Sequence, residues 1–279
     1  MNTAVGKSVP CNDECMVDVP GVLLAGHSNR IVKAQIVANQ SGVIAGIDDV
    51  AEEAMNLGLA MKPMMESGQE VSSGQTIAVL TGKPGQIIRG EDRLLGHVGK
   101  FSGVATAARR ACQMARGLKV VCGGWKKLPI EMKERLRKSL TLGGVGTRII
   151  DEPFVYLDKN YVRVFGSIPA AMEAASRLSG RVVAIQVRGD TAPVQEEALE
   201  AARLGAGVLI VDTGRIEDLR LVSENLHKGN FRSSVRLAFA GGITLEGLAG
   251  LVGEDLDMVD IGRVLIDAPL LDFRYDIIS

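Results

Sequence analysis

From about residue 118 onward the chain repeats one pattern, a short apolar run followed by an amphipathic segment that closes on a glycine. The runs are LKVVCGG, EPFVYL, RVVAIQV, GVLIVDT, VRLAFAGG and DMVDIG. They are apolar on both faces, a pattern that suits strands covered on both sides. The segments between them, such as APVQEEALEAARLG and RIEDLRLVSENLH, place apolar residues at helical spacing. Strands that alternate with helices pair in parallel, because the helix supplies the crossover. A closed α/β barrel and an open doubly wound sheet both satisfy this rhythm. The G-x-G-x-x-G fingerprint of the open sheet is absent, so the barrel is the expected fold.

The preceding stretch has another texture. IVKAQIVANQSGVIAGI reads as strands, DDVAEEAMNLG as a helix opened by acids, and MMESGQEVSSGQTIAVLTGKPG as short strands between Ser-Gly turns. This predicts a smaller N-terminal α+β sandwich over residues 1–100, with the tail 270–279 returning to it, and the barrel over 101–269. The helical stretch EDRLLGHVGKFSGVATAARRACQMARG joins the two and is expected to break near Gly103. The turn-rich ESGQEVSSGQ has the look of a lipoyl-domain hairpin, but no lysine sits at a tight tip.

Composition excludes several function classes. A net charge of −1 offers no field for nucleic acid or an anionic membrane, and 4% aromatics offer no stacking platform for bases. No apolar run approaches the roughly 20 residues of a membrane span, and the N-terminal residues lack a signal-peptide core, so the cytoplasm is the expected location. Cys11 and Cys15 are spaced C-x3-C without a second ligand pair, which argues against zinc. His27, His97 and His227 have no nucleophile partner in the sequence and read as surface or packing residues.

The last two strand-to-helix turns are FAGGITLEG and DIGRVLI. In α/β barrels a phosphate commonly lies over the loops after the last two strands, held by backbone N–H groups that glycine leaves uncovered. Gly241, Gly242 and Gly262 are therefore the expected phosphate ligands, with Arg263 as a neighbouring cation. Asp212 ends an otherwise apolar strand, where an acid can hold ribose hydroxyls or hydrated magnesium.

The segments SGVATAARRA, GAGVLIVDTGRIEDLR, AFAGGITLEGL and DMVDIGRVLIDAPLLDFRYDI resemble the quinolinate and nicotinate phosphoribosyltransferases. The likeness runs from about Val32 to the C-terminus. It implies the type II phosphoribosyltransferase fold, an incomplete TIM-like barrel with an N-terminal sandwich. It also implies transfer of phosphoribosyl from phosphoribosyl pyrophosphate to a pyridine carboxylate or related aromatic acid, an NAD-biosynthesis reaction with magnesium as companion of the pyrophosphate. A homodimer or higher homo-oligomer is implied too, in which an arginine of one copy enters the other's site; Arg93 or Arg89 is the candidate. Matching motif by motif assigns Lys126, with Asp212, to catalysis, and Arg148, Lys159, Asn160, Gln186, Arg188 and Arg93 to substrate binding.

The chain also departs from the family pattern. GWKKLP puts Trp125 where the family has arginine, LGGVGTR puts Thr147 in place of histidine, and DKNY puts Asp158 in place of lysine. Gln186 and Arg188 stand where acids are expected. Trp125 then offers an apolar face for a flat ring, and the acceptor should be less anionic than quinolinate. The alternative reading is a catalytically degenerate paralogue that binds a phosphorylated ligand as a sensor or partner subunit. A third is a barrel enzyme of unrelated chemistry on a phosphorylated sugar.

Overall fold

The computed structural model describes residues 18–279, so Cys11 and Cys15 lie outside the described residues. After a short helix α1 (Val19–Leu23) come β1 (Val32–Ala38), β2 (Gly42–Val43), α2 (Ile47–Asn56), β3 (Ala60–Pro63), β4 (Glu70–Val71) and β5 (Thr76–Gly82). β1 pairs antiparallel with β5, β5 with β3, and β2 with β4. The other edge of β1 takes the last strand of the chain, β12 (Phe273–Ile277), with Ala34 opposite Ile277. Ile36, Ile44, Ile77 and Leu80 fill the core beneath.

α3 (Pro84–Met114) is one unbroken helix of 31 residues, about 46 Å at 1.5 Å per residue. Pro84 suits its first turn, where an N–H has no intrahelical partner, and the Gln86 side chain accepts from the Lys83 amide at 2.9 Å. Ile87, Leu94 and Val98 belong to the N-terminal core; Val104, Ala108 and Ala111 belong to the barrel core. The position 100/101 therefore falls inside a helix that both cores use.

The expected break at Gly103 does not occur. A Cβ there would meet the Pro269 carbonyl oxygen at 2.0 Å and Leu270 Cα at 2.9 Å, so glycine serves close approach of the returning chain. That chain is pinned one turn away, where Leu271 donates its amide to the Gly99 carbonyl at 2.9 Å. Alanine is the better helix former by about 1 kcal/mol, yet Gly103→Ala should destabilise by about 2 kcal/mol, because the clash outweighs propensity. Denaturant unfolding checks this; a more stable variant would contradict it.

The remainder alternates as the sequence pattern requires: β6 (Lys119–Val121), α4 (Ile130–Leu142), β7 (Phe154–Leu157), α5 (Lys159–Phe165), α6 (Ile168–Ser176), β8 (Val182–Val187), α7 (Val194–Arg203), β9 (Val208–Asp212), α8 (Ile216–Lys228), β10 (Arg236–Ala240), α9 (Leu245–Leu248), β11 (Met258–Asp260) and α10 (Arg263–Ile266). α5 is an addition to the sequence reading. The sheet order is β6-β11-β10-β9-β8-β7, all parallel. Each strand from β7 to β11 lies beside its successor, and the first strand lies beside the last. That circular order belongs to a barrel and not to a doubly wound sheet, whose order reverses at a switch point. A parallel bridge from Val121 to Gly146 continues the wall on the far side of β6. The fold is thus an incomplete TIM-like barrel beside a small sheet domain.

Ala184, Val208, Ile210, Ala238 and Met258 fill the barrel interior, whereas Ile185, Leu209, Val211, Phe239 and Val259 pack outward under the helices. Side chains alternate along a strand. The next inward positions toward the C-terminal ends are therefore Gln186, Asp212, Ala240 and Asp260.

Candidate active site

Those inward positions open into a cavity of about 1040 Å³ at the C-terminal ends of the strands. Both glycine turns line it, through Gly241-Gly242 after β10 and Gly262 after β11. Among the described residues the amides of Gly241, Gly242 and Gly262 donate to no protein acceptor. Gly242 has φ +80° and open space where a Cβ would stand. Gly262 is packed against backbone, and a Cβ on Gly124 would meet its Cα at 2.9 Å. Bare backbone donors of this kind suit a phosphate.

Lys126, Lys159, Asn160, Gln186 and Asp212 line the same cavity. Asp212 is held from two sides. Gln186 Nε2 donates to its Oδ2 at 3.2 Å, and Arg188 forms an ion pair with the same oxygen. Gln186 in turn accepts from the Lys159 amide at 3.0 Å, which ties the start of α5 to the floor. Arg188 itself is not part of the cavity wall; it acts on the site through Asp212. Arg263 stands at the mouth with its side chain 86% exposed and paired to Asp267 at 3.2 Å.

Two sequence expectations are corrected, those for Arg148 and Trp125, and the places of Asp158 and Arg93 follow. Arg148 points away from the cavity: its guanidinium donates to the Ile150 and Glu152 carbonyls at 3.3 and 3.4 Å and lies 5.1 Å from the Phe154 ring centre. Trp125 offers no platform to a ligand, because its ring packs on the barrel core, its Nε1 donates to the Thr147 carbonyl, and Arg137 stacks on it at 5.0 Å. Asp158 caps α5, accepting from the Asn160 and Tyr161 amides at 2.9 and 3.3 Å. Arg93 pairs with Glu53 on the exposed side of α3, outside the cavity of its own chain.

Two lining residues escape a sequence reading. Tyr156 projects from β7 into the cavity, with Lys126 Nζ 6.0 Å from its ring centre. Burial, together with the charges of Asp260 and Asp212, pushes its phenol well above the ordinary tyrosine range. Asp260 ends β11 as Asp212 ends β9, and that shared position is the signal that could have found it. Its Oδ1 accepts from the Gly123 amide at 3.0 Å. Burial raises its carboxyl pKa, the Gly123 amide and Lys126 act to lower it, and the Asp212 charge adds to the rise. Cys122 beside it is buried and its thiol is pushed up to about 11, which removes it as a nucleophile. None of the three histidines lines the cavity.

A barrel with two unpartnered glycine turns, lysines and a held aspartate around one cavity defines a phosphate-handling α/β-barrel protein. Residues 18–102 match the N-terminal domain of quinolinate phosphoribosyl transferase and residues 104–276 its C-terminal domain. The chain belongs to the quinolinate phosphoribosyltransferase family, and it is an enzyme of the pentosyltransferase kind. Among curated proteins it is similar to the probable carboxylating nicotinate-nucleotide pyrophosphorylase of Archaeoglobus fulgidus, 27% identical over 255 residues, 89% of this chain and 95% of that one. The carboxylating nicotinate-nucleotide pyrophosphorylase of Rattus norvegicus is 26% identical over 261 residues, 92% of this chain and 86% of that one. The fold matches that of the nicotinate-nucleotide pyrophosphorylase from Pyrococcus furiosus with a TM-score of 0.81 at 19% identity, covering 93% of this chain and 72% of that one. The Francisella tularensis structure gives 0.79 at 18% identity, covering 92% and 89%. No described helix is long and apolar enough to cross a membrane.

Proposed function

We propose that this enzyme transfers a phosphoribosyl group from phosphoribosyl pyrophosphate to the ring nitrogen of a pyridine carboxylate or related aromatic acid, in the manner of NAD biosynthesis. One observation carries the reading: the two glycine turns, Lys126, Lys159 and Asp212 converge on a single cavity. The sugar's 5-phosphate is received by the Gly241-Gly242 and Gly262 turns. Asp212, fixed by Gln186 and Arg188, faces the ribose hydroxyls. Lys126 and Lys159 take the anionic pyrophosphate as point charges. The bond from C1′ to the pyrophosphate oxygen breaks as the ring nitrogen bonds to C1′, and its electron pair leaves with pyrophosphate. Nothing in this step needs a protein nucleophile, so catalysis is positioning and charge stabilisation.

Magnesium fits the donor set present. No group of three His, Cys, Asp or Glu that could hold a metal exists among the described residues. Magnesium keeps several waters and uses one or two carboxylates plus substrate phosphates, a need that Asp212 can meet. When bound it would neutralise charge on the departing pyrophosphate. Assembly as a homodimer belongs to the same reading, with exposed Arg93 or Arg89 reaching the cavity of a second copy. The cytoplasm is its proposed location.

Asp212→Asn keeps the shape of the side chain and its contact with Gln186 but loses the charge. It should lower kcat/KM for phosphoribosyl pyrophosphate about tenfold, since a charge-assisted hydrogen bond contributes about 1.5–3 kcal/mol and the amide recovers part of it. Steady-state kinetics with nicotinate as acceptor checks this. An unaltered kcat/KM would remove Asp212 from the site.

A further inference from the structure

We propose that Asp260 sets acceptor specificity: its carboxylate, fixed in the cavity beside the phosphate turn, excludes a ring with a second carboxylate, so the enzyme takes pyridine monocarboxylates in preference to dicarboxylates. This rests on the phosphoribosyl-transfer reading above and narrows its substrate class.

Three observations carry it. Asp260 cannot swing away freely, because the Gly123 amide holds Oδ1 at 3.0 Å, while Oδ2 receives no protein donor among the described residues. Gly123 has no side chain in the way; a Cβ there would stand 3.1 Å from Oδ2, so the carboxylate packs directly on the β6 turn. Burial raises its carboxyl pKa, and the Gly123 amide, Lys126 and Lys127 oppose that rise.

The second observation is the charge of the wall. Lys126, Lys127, Lys159 and Arg263 face the cavity, and so do Asp158, Asp212, Asp260 and Asp267. The signs are therefore balanced before any ligand enters. The donor brings a phosphate and a pyrophosphate, which take up the lysines. Little positive charge is then left for an acceptor carrying two carboxylates.

Third, two arginines near the strand ends add no positive charge to the cavity: Arg148 stacks on Phe154 and Arg188 is paired with Asp212. Ala240 lies directly beside Asp212 in the register of β10 and β9, and Asp260 ends the strand on its other side. This small residue leaves the acids a shared open floor, next to the Tyr156 ring that lines the same cavity. A carboxylate entering within about 6 Å of Asp260 at an effective dielectric near 20 is disfavoured on the order of a hundredfold. Specificity by a repulsive element of this kind discriminates without improving contacts to the preferred substrate.

The test measures kcat/KM for nicotinate and for quinolinate with phosphoribosyl pyrophosphate and magnesium, in the full chain and in two variants. Asp260→Asn keeps an acceptor for the Gly123 amide, and Asp260→Ser removes the bulk as well; a melting curve accompanies each. The full chain should prefer nicotinate about a hundredfold. The ratio should narrow at least tenfold in both variants, through a lower KM for quinolinate. A ratio near one in the full chain, turnover of neither acid, or a ratio that narrows less than tenfold in either variant overturns the proposal. Binding of ribose 5-phosphate and nicotinate mononucleotide, followed by calorimetry, separates the two levels. If neither ligand binds, the phosphoribosyl-transfer reading fails and takes this proposal with it. If they bind but quinolinate is used as readily as nicotinate, only the role of Asp260 fails.

Discussion

Glu197→Ala should lower the free energy of unfolding by about 3–5 kcal/mol, a large fraction of what a domain possesses. Glu197 is a carboxylate on the first turn of α7 that is only 2% exposed. It accepts five hydrogen bonds: from the Arg188 and Gly189 amides at 3.0 and 2.8 Å, from the Thr191 amide and hydroxyl at 2.7 and 2.8 Å, and from the Ala192 amide at 3.4 Å. Hydrogen bonds to a charged acceptor contribute about 1.5–3 kcal/mol each. The sum is not the expected loss, because Gly189 and Thr191 are exposed and water can reach their amides once the carboxylate is gone. A melting temperature lower by roughly 6 °C or more should accompany the change at this chain length. The effect should also reach the site, since Glu197 fixes the loop that begins with Arg188, and Arg188 holds Asp212. Thermal and denaturant unfolding decide the matter; a loss below 1 kcal/mol would mean the loop does not depend on this anchor.

How legible these features are in the sequence depends on whether local pattern or a distant partner sets them. The barrel is legible because strand and helix periods differ and alternate, and that rhythm alone selects parallel pairing. Asp212 is legible because an acid at the end of an apolar strand is conspicuous. Asp260 has the same position, but its strand is three residues long and the glycine two places on draws the eye to backbone chemistry. Gly103 looks like a helix breaker, because the residue that requires it, Pro269, lies far along the chain. The directions of Arg148 and Trp125 are not legible at all. Each is decided by an aromatic or cationic surface, Phe154 for one and Arg137 for the other, and no spacing rule announces that. α5 is hidden by its length of seven residues, which leaves too few turns for a helical period to show.

Gly241→Ala should weaken binding of ribose 5-phosphate by two to three orders of magnitude, more than any other single change at the phosphate turns. Gly241 has φ +110°, and a Cβ on it would meet the Gly214 nitrogen at 2.3 Å and the Thr213 carbonyl carbon at 2.8 Å. The relation is mutual: a Cβ on Gly214 would meet the Gly241 oxygen at 2.1 Å, and the Gly214 amide donates to the Ala240 carbonyl at 2.9 Å. The turns after β9 and β10 are thus packed backbone on backbone, and no flexible side chain can yield to a new methyl group. Relief requires the two turns to part, which moves the phosphate donors on one and the chain next to Asp212 on the other. Gly242→Ala tests the conformational part alone. Its φ of +80° disfavours alanine by about 1–2 kcal/mol, but nothing lies within 4 Å of the new atom, so about a tenfold loss is expected. Gly250→Ala, with open space and no positive φ, should bind as the unaltered protein does. Calorimetric titration of the three variants with ribose 5-phosphate gives the order directly. Should Gly241→Ala bind within threefold of the parent while melting normally, the 5-phosphate does not rest on this turn.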